Sequence, residues 1–363
     1  SGRDRGRRLG PGARGGGRNR AGVVAARVLG TVRVVAVAGG LGALGPPPGD
    51  PAHGARLRGP RHSRARDRAA VSHHYDLSNA FYALLLDPTM SYSCAYWRRP
   101  PGEPDHTIAD AQRDKLELIC RKLELGPGSR LLDIGCGWGA LARHAAAEHG
   151  ALVTAVTLSR EQAGHVRRLV TDDELTGRVD VLHADYRELP ELLPVAGFDA
   201  VTSVEMGEHV GDAEYPAFAA LLRHLLRPGG RLLVQQMSRG RHAPGGGAFI
   251  ETYIAPDMHM RPLAQTIGLL ADAGLEIRAT QALREHYAWT TAAWLESLEC
   301  RWDAFTALVG EPTARVWRLY LTGGGLAFEE GRMGVDQILA TRPPVVGQRR
   351  AAHDGRPTGV SRG

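Results

Sequence analysis

One stretch decides the fold of this chain: Leu131-Leu132-Asp133-Ile134-Gly135-Cys136-Gly137-Trp138-Gly139. An apolar strand leads into it, and a helix with Leu141 and Ala145 on one face follows. This strand–turn–helix context is typical of a cofactor-binding loop. The three alternating glycines allow a tight turn and a close approach of the backbone to a ligand. Asp133, at the end of the strand, adds a carboxylate to the predicted site.

The residues around this loop favour S-adenosylmethionine (SAM) over a nicotinamide cofactor. A nicotinamide dinucleotide is expected to meet an acidic residue about 20 positions further on, at the end of the second strand. That strand ends at Thr157-Leu158-Ser159, which contains no acid. A second glycine motif, Gly40-x-Gly42-x-x-Gly45, is followed by three prolines that forbid the helix it requires, so we attribute it to chance.

Strand and helix signals alternate on both sides of the loop, which predicts an α/β fold with a mostly parallel sheet of seven strands and helices on both faces. The predicted strands are 129–134, 152–157, 179–183, 198–204, 231–237, 275–281 and 335–341. The predicted helices between them are 138–149, 159–170, 214–226 and 263–273. An irregular stretch at about 240–262 predicts a lid, and residues 290–330 predict a helical insertion.

The two ends of the chain differ from this body. Residues 1–68 are rich in Arg, Gly and Pro, and we expect a disordered basic tail that is dispensable for folding and SAM binding. Residues 69–125 predict an N-terminal helical cap, residues 126–345 the SAM-binding domain, and residues 346–363 a second disordered tail. The apolar stretch within the first tail is 12 residues long, too short to cross a membrane as a helix.

Charge and cysteine content exclude several classes of function. Residues 1–70 hold 15 Arg and three acidic residues, whereas residues 71–363 carry a net charge of −6, so the body shows no footprint for nucleic acid. The four cysteines contain no C-x-x-C pair. The histidines we considered as ligands, His73, His74, His209 and His286, lack a convergent spacing. We therefore predict no disulfide framework and no metal.

A series of further motifs, in order along residues 71–341, resembles the cyclopropane-fatty-acyl-phospholipid synthase family. The motifs are His74-Tyr75-Asp76-Leu77-Ser78-Asn79, Met90-Ser91-Tyr92-Ser93-Cys94-Ala95-Tyr96, Ala111-Gln112 with Lys115, the glycine loop, Val156-Thr157-Leu158-Ser159, Asp185-Tyr186-Arg187, Glu208-His209-Val210-Gly211, Tyr253-Ile254 and His286-Tyr287 with Thr290 and Trp294. The resemblance implies a Rossmann-like class I SAM-dependent methyltransferase that acts on a cis double bond of a phospholipid acyl chain.

The resemblance also implies which residues form the site. For SAM they are Tyr92, Ser93, Gly135, Gly137, Thr157, Leu158, Gln162 and Tyr186. For a bound bicarbonate ion they are Glu208, Tyr287, the backbone at Cys94 and Met237, and a histidine after the fifth strand. Here Gln235 stands in place of that histidine, Glu205 in place of a usual glycine and Gly324 in place of a usual cysteine. Glu205 is therefore an alternative candidate for the base.

The chemistry leaves the product open. Methyl transfer to an alkene leaves a carbocation, and the position of the base decides which proton is lost. Loss from the new methyl group closes a cyclopropane, which we favour because the Glu208 to Gly211 motif and Tyr287 are intact. A methylene- or methyl-branched chain is the alternative, as is a SAM- or lipid-binding homologue without activity. Cap aromatics suit an apolar channel for the acyl chain, and these are Phe81, Tyr82, Tyr92, Tyr96 and Trp97.

These inferences predict a cytoplasmic enzyme at the inner face of the membrane, in peripheral contact with phospholipid acyl chains. A reductase partner is required if a branched methyl group is the final product. The sequence does not decide whether the chain forms a homodimer.

Overall fold

A computed structural model describes residue 55 and residues 57–75, 78–101, 106–193, 197–240 and 247–344, with the backbone alone given for residues 71–75. Most of the first predicted tail and all of the second lie outside these ranges. Along the described chain, no helix is both long and apolar enough to span a bilayer.

Twelve α-helices and seven strands are formed by the described residues. The helices are α1 Arg64–Tyr75, α2 Asn79–Leu85, α3 Ile108–Lys122, α4 Ala140–Glu148, α5 Arg160–Asp172, α6 Leu189–Leu192, α7 Tyr215–Leu225, α8 Gly247–Tyr253, α9 Leu263–Asp272, α10 Arg284–Cys300, α11 Trp302–Val309 and α12 Glu311–Glu329. The strands are β1 Arg130–Ile134, β2 Leu152–Thr157, β3 Val179–His183, β4 Phe198–Val204, β5 Leu226–Arg239, β6 Glu276–Ala282 and β7 Met333–Thr341.

The strands form one sheet in the order β3-β2-β1-β4-β5-β7-β6. The first five are parallel, and β7 lies antiparallel between β5 and β6. This confirms the predicted seven-stranded, mostly parallel sheet. The chain leaves β1 toward β2 on one side and returns to β4 on the other. The switch in direction opens a crevice at the carboxyl ends of β1 and β4, where such folds bind their ligands.

Buried apolar residues cover both faces of the sheet, as a parallel sheet requires. The glycine loop joins β1 to α4, and its last glycine, Gly139, is the N-cap of that helix with φ +82°. A Cβ atom there would lie 2.7 Å from Val166 Cγ1 of α5, so only glycine fits the turn between β1 and α4.

A third apolar cluster joins α2 to the three helices α10–α12 and is largely aromatic. Phe81 packs edge-on against Trp317 with ring centroids 4.8 Å apart, and Tyr82 lies 4.6 Å from Trp138. Both Phe81 and Tyr82 are fully buried core residues. Of the five cap aromatics predicted for an acyl channel, Tyr92 lines the cavity described below.

The ordered body begins earlier than the sequence predicted. Helix α1 starts at Arg64, inside the predicted tail, and Arg66 forms an ion pair with the buried Asp257 at 2.5 Å. The insertion between β6 and β7 begins at Arg284 rather than at residue 290, and the predicted lid contains helix α8. The first difference has a physical reason: the Arg-rich composition of residues 1–68 hid positions that are ordered by distant ion-pair partners.

Candidate active site

A cavity opens at the carboxyl ends of β1, β2 and β4. All nine residues predicted to bind the cofactor line it, namely Tyr92, Ser93, Asp133, Gly135, Gly137, Thr157, Leu158, Gln162 and Tyr186. The turn is held by the Gly135 and Cys136 N–H groups, which both donate to the carbonyl of Val156 at 2.9 Å. Gly137 has φ +55°, and a Cβ built on it would meet no atom within 4 Å. Gly137 therefore keeps a space clear beside the loop.

The polar lining of the cavity is held by short-range bonds. Thr202 Oγ1 donates to Asp133 Oδ1 at 2.8 Å, and burial raises the pKa of Asp133 to about 6. Thr157 Oγ1 donates to Gln162 Oε1 at 2.7 Å, which fixes the side chain at the start of α5. A carboxylate, an amide and a hydroxyl thus converge on the loop. Together these hydrogen-bonding groups suit the polar groups of SAM.

Helix α3 supplies two side chains that belong to a motif of the family but had no predicted role. Its first turn is fixed by reciprocal bonds between Thr107 and Asp110. Further along, Lys115 Nζ donates to Ser93 Oγ at 2.8 Å, and Gln112 Nε2 donates to the carbonyl of Ser93 at 2.9 Å. Both side chains are buried, and burial lowers the pKa of Lys115. They hold the segment that carries Tyr92 and Cys94 against the cavity.

Helix α1 adds a residue to the site that the sequence missed. Asp67 lines the cavity and accepts from Arg187 Nη2 at 2.9 Å, while Arg187 also binds Asp185 at 2.6 Å. Asp67 was assigned to the dispensable tail, and no local signal in that Arg-rich segment distinguishes it. Its role is set by Arg187, which lies 120 positions away in the chain.

Glu205 is the centre of the polar cluster beside the cavity. The Cys94 N–H donates to Glu205 Oε1 at 2.8 Å, Gln235 Nε2 donates to the same oxygen at 2.8 Å, and the Tyr287 hydroxyl donates to Glu205 Oε2 at 2.6 Å. Glu205 also lines the cavity. Its backbone has φ +51°, a left-handed conformation that favours glycine, and such strain is concentrated at functional sites.

These bonds bear on the predicted bicarbonate ion. Cys94, Tyr287 and the residue at position 235 are three of the five groups that the resemblance assigns to that ion, and here all three donate to Glu205. Met237, the fourth, donates its N–H to Glu208 Oε1 at 2.5 Å. A bicarbonate ion would also lie beside the negative charge of the buried Glu205 carboxylate, which is electrostatically unfavourable. The residues present do not fit bicarbonate, and the Glu205 carboxylate occupies its donors.

Glu208, predicted as the carboxylate that orients the base, is fully buried. Burial, followed by the nearby negative charge of Glu205, raises the pKa of Glu208 to about 8. Among the described residues, no group lies within hydrogen-bonding distance of Glu208 Oε2. Burial also raises the pKa of Glu205, whereas Tyr287, Cys94 and Gln235 oppose this shift by donating to its carboxylate. At neutral pH the neutral member of the pair is therefore Glu208.

Tyr287 and Cys94 keep their protons. Burial raises the pKa of Tyr287 well above its usual value, and the ring stacks on Phe328 with centroids 4.4 Å apart. Burial likewise raises the pKa of the Cys94 thiol, so that Cys94 contributes its backbone N–H rather than a thiolate. Tyr287 is therefore a hydrogen-bond donor in this site.

Three possible metal ligands lie together on α3, on α4 and at the residue that follows α4, at positions where the sequence suggested none. Donor atoms of Cys120, His144 and His149 lie within 4.8 Å of one another. Both rings already contact Glu117 Oε2, at 3.4 Å for His144 and 3.0 Å for His149. The carboxylate of Glu117 accounts for the orientation of both rings.

Comparison with known proteins identifies the family. The sequence profile described as mycolic acid cyclopropane synthetase matches residues 62–338. The chain belongs to this family. It is 44% identical to a probable fatty acid methyltransferase of Pseudomonas putida over 288 residues, which are 78% of this chain and 71% of the relative. It is 34% identical to cyclopropane mycolic acid synthase 1 of Mycobacterium tuberculosis over 287 residues, 76% of this chain and 97% of the relative.

Solved structures agree with this assignment. The mycolic acid cyclopropane synthase CmaA1, complexed with S-adenosylhomocysteine (SAH) and CTAB, is 32% identical and superposes with a TM-score of 0.69 over 76% of this chain and 98% of its own. The cyclopropane synthase MmaA2 from Mycobacterium tuberculosis is 33% identical with the same TM-score, over 77% of this chain and 98% of its own. This member of the mycolic acid cyclopropane synthetase family is a SAM-dependent methyltransferase with the class I fold.

Proposed function

We propose that this methyltransferase methylates a double bond of a fatty acyl chain, with the Glu205 carboxylate as the base, and that the product carries a methylene branch. The observation that carries the proposal is the set of three hydrogen bonds to Glu205 at the edge of the cofactor cavity. A carboxylate that belongs to the chain thus takes the place expected for a bound ion.

The residues of the site have separable tasks. SAM supplies an electrophilic methyl group, and its transfer to the alkene leaves a positive charge on the acyl chain. Glu205 faces the cavity, where its negative charge stabilises that cation and where it accepts the departing proton. Tyr287, Gln235 and the Cys94 N–H hold both carboxylate oxygens in place.

Glu208 is suited to a different task. Its pKa is raised to about 8, so it is mostly protonated at pH 7, and unlike Glu205 it does not line the cavity. It accepts the Met237 N–H and so fixes the backbone of β5 next to Gln235. We assign Glu208 a supporting role and Glu205 the proton transfer.

Two routes lead from the cation to a neutral product. If a hydride shifts from the methylated carbon to its neighbour, loss of a proton from the new methyl group to Glu205 gives a methylene branch, C=CH₂, on the acyl chain. If the proton leaves without that shift, the same C–H electron pair closes a cyclopropane. Both routes consume SAM and an alkene and yield SAH, the product and one proton on Glu205.

A branched product is supported by the change of base at Glu205 and by two relatives. The one from Pseudomonas putida, at 44% identity, and one from Mycobacterium tuberculosis, at 39%, are both named probable fatty acid methyltransferases. The cyclopropane remains the second candidate, because Glu205 is held by the same groups, Cys94 N–H and Tyr287, that the resemblance assigned to bicarbonate.

We further propose phospholipid acyl chains as substrate, peripheral contact at the cytoplasmic face of the membrane, and a reductase that converts the methylene to a methyl branch.

Matched glutamate variants test the base. We expect Glu205→Gln to lower turnover by about 10²- to 10⁴-fold, the usual contribution of a proton-transfer group. Glu208→Gln, which mimics a protonated carboxyl, should stay within about tenfold of the wild type. Calorimetry should show unchanged SAM affinity for both variants. Full activity of Glu205→Gln would refute the proposed base.

The product must be identified by NMR of lipid extracted from a host expressing the chain, since cyclopropane and methylene chains have the same mass. Signals of a =CH₂ branch would support the branched product, and upfield ring protons would establish the cyclopropane. A wild-type chain that binds SAM and yields neither lipid would instead be a SAM-binding homologue without this activity.

A further inference from the structure

Glu205 lies at one end of a buried row of glutamines that crosses the sheet. Gln337 Nε2 donates to Gln235 Oε1 at 2.9 Å, and Gln235 Nε2 donates in turn to Glu205 Oε1. At the other end, Lys122 Nζ donates to Gln337 Oε1 at 2.6 Å and to Gln281 Oε1 at 2.6 Å. We propose that Lys122 and Gln337 are positioning residues that hold the Glu205 carboxylate ionised and oriented, through this hydrogen-bonded row. The inference rests on the proposed function of Glu205.

Sheet register explains how the row forms. Gln235 on β5 pairs with Gln337 on β7, which pairs with Gln281 on β6. Side chains of residues paired across neighbouring strands lie on the same face of a sheet, so the three amides form a line. Lys122, the last residue of α3, closes the line at its outer end.

The direction of the hydrogen bonds follows from Lys122. An ammonium group can only donate, so Gln337 must turn its carbonyl oxygen toward Lys122 and its NH₂ group toward Gln235. Gln235 must then accept with Oε1, which leaves its NH₂ group for the Glu205 carboxylate. Each amide is polarised by the charge behind it, and such chains strengthen one another in a buried setting.

The two inner amides of the row are isolated from water. Gln235 is fully buried and Gln337 is 1% exposed, so neither amide can exchange its partner for solvent. Burial lowers the pKa of Lys122 to about 8, and it is therefore mostly protonated at pH 7. The other charged groups near its end of the row are Arg231, which donates to the Lys122 carbonyl at 3.1 Å, and Glu124, which pairs with Arg231.

Loss of the positive end has a defined consequence. Without Lys122 the amides are free to reverse, and a reversed Gln235 would present Oε1 to Glu205, which that carboxyl tolerates only when protonated. The pKa of Glu205 would then rise. Because a base must be deprotonated to act, the acid limb of the pH–rate profile should move to higher pH.

The experiment compares four variants of the full chain. For Lys122→Met and Gln337→Leu we expect an acid limb displaced upward by about one pH unit, so that turnover is about tenfold lower at pH values on that limb, with unchanged SAM affinity. Gln281→Leu is the matched control, because it removes a partner of Lys122 but leaves the row to Glu205 intact. Lys122→Arg keeps the charge and should retain the wild-type acid limb.

An infrared titration of the Glu205 carboxyl band, assigned by difference from Glu205→Gln, gives the same pKa without turnover. The inference would be overturned if Lys122→Met and Gln337→Leu had the same acid limb and the same carboxyl titration as the wild type. This result is distinct from failure of the proposed function, in which Glu205→Gln itself stays active. If one variant does not fold, as shown by lost SAM binding, the other still decides, since each interrupts the row at a different bond.

Discussion

Glu205→Gly is expected to make turnover depend on added bicarbonate. The substitution restores the residue that the resemblance places at this position and removes the carboxylate. It leaves three donors that converge on an empty volume, the Cys94 N–H, Gln235 Nε2 and the Tyr287 hydroxyl. A free bicarbonate ion can accept from the same groups, so it should bind there and replace the missing base.

The structure sets the size of two effects. Loss of the base should reduce turnover by about 10²- to 10⁴-fold in buffer free of carbon dioxide. The backbone of residue 205 has φ +51°, which costs a residue with a side chain about 1 kcal/mol relative to glycine. Glu205→Gly should therefore melt about 2–4 °C above Glu205→Ala, although both lack the carboxylate.

The assay measures SAH release with an unsaturated phospholipid while bicarbonate is titrated at constant ionic strength. We expect bicarbonate to leave the turnover of the wild type unchanged. It should raise the turnover of Glu205→Gly at least tenfold. Chloride at the same ionic strength controls for salt effects, and SAM calorimetry controls for folding.

Two results would refute the reasoning. A folded Glu205→Gly that is fully active without bicarbonate would show that Glu205 is not the base. A wild type that requires bicarbonate would show that the ion binds beside Glu205, contrary to the fit described above.

Three further predictions follow from the same contacts. Gly137→Val should abolish SAM binding measured by calorimetry, because its side chain enters the open space beside the loop, whereas Gly128→Val, at an exposed turn with φ +77°, should bind normally; equal affinities would place SAM elsewhere. A chain that begins at Leu57 should keep its SAM affinity, measured by calorimetry. A chain that begins at Ala69 lacks Asp67 and should bind SAM several-fold more weakly. Identical affinities would exclude α1 from the site. Burial holds the folded-state pKa of Glu208 at about 8, above its ordinary value, so folding favours the protonated form and stability falls as pH rises from about 4.5 to 8. Between pH 6 and 8.5, denaturant unfolding should show a smaller loss of unfolding free energy for Glu208→Gln than for the wild type. Equal losses would count against a neutral Glu208.

Local patterns were sufficient for the fold and for the cavity that the predicted cofactor residues line. The strand, the glycine turn and the helix at residues 131–139 are fixed by neighbours in sequence, and the alternation of strands and helices determines a parallel sheet. Because ligands bind at the carboxyl ends of such strands, the predicted cofactor residues lie around one cavity. The sequence also singled out Glu205 as a departure from the family, without deciding what that departure does.

Tertiary structure decided the roles of the two glutamates. The partners of Glu205 lie 30, 82 and 111 positions away in the chain, and no local pattern encodes which oxygen each one reaches. Burial then separates the two carboxyl groups, since Glu208 lacks donors that could stabilise its charge as fully as those of Glu205 do. A pKa depends on the free energy of a charge in its final surroundings, and those surroundings exist only once the chain has folded.

The row from Lys122 to Glu205 shows the same limit. Lys122, Gln281 and Gln337 carry no motif in the sequence, and their distance from position 205 along the chain gives no reason to connect them. The pairing of β5, β7 and β6 aligns the amides, and the end of α3 supplies the charge. The sequence by itself determined which elements form and which residues surround the cavity. Only the tertiary structure decided which side chains act together there, because hydrogen bonds depend on distances in space rather than on positions along the chain.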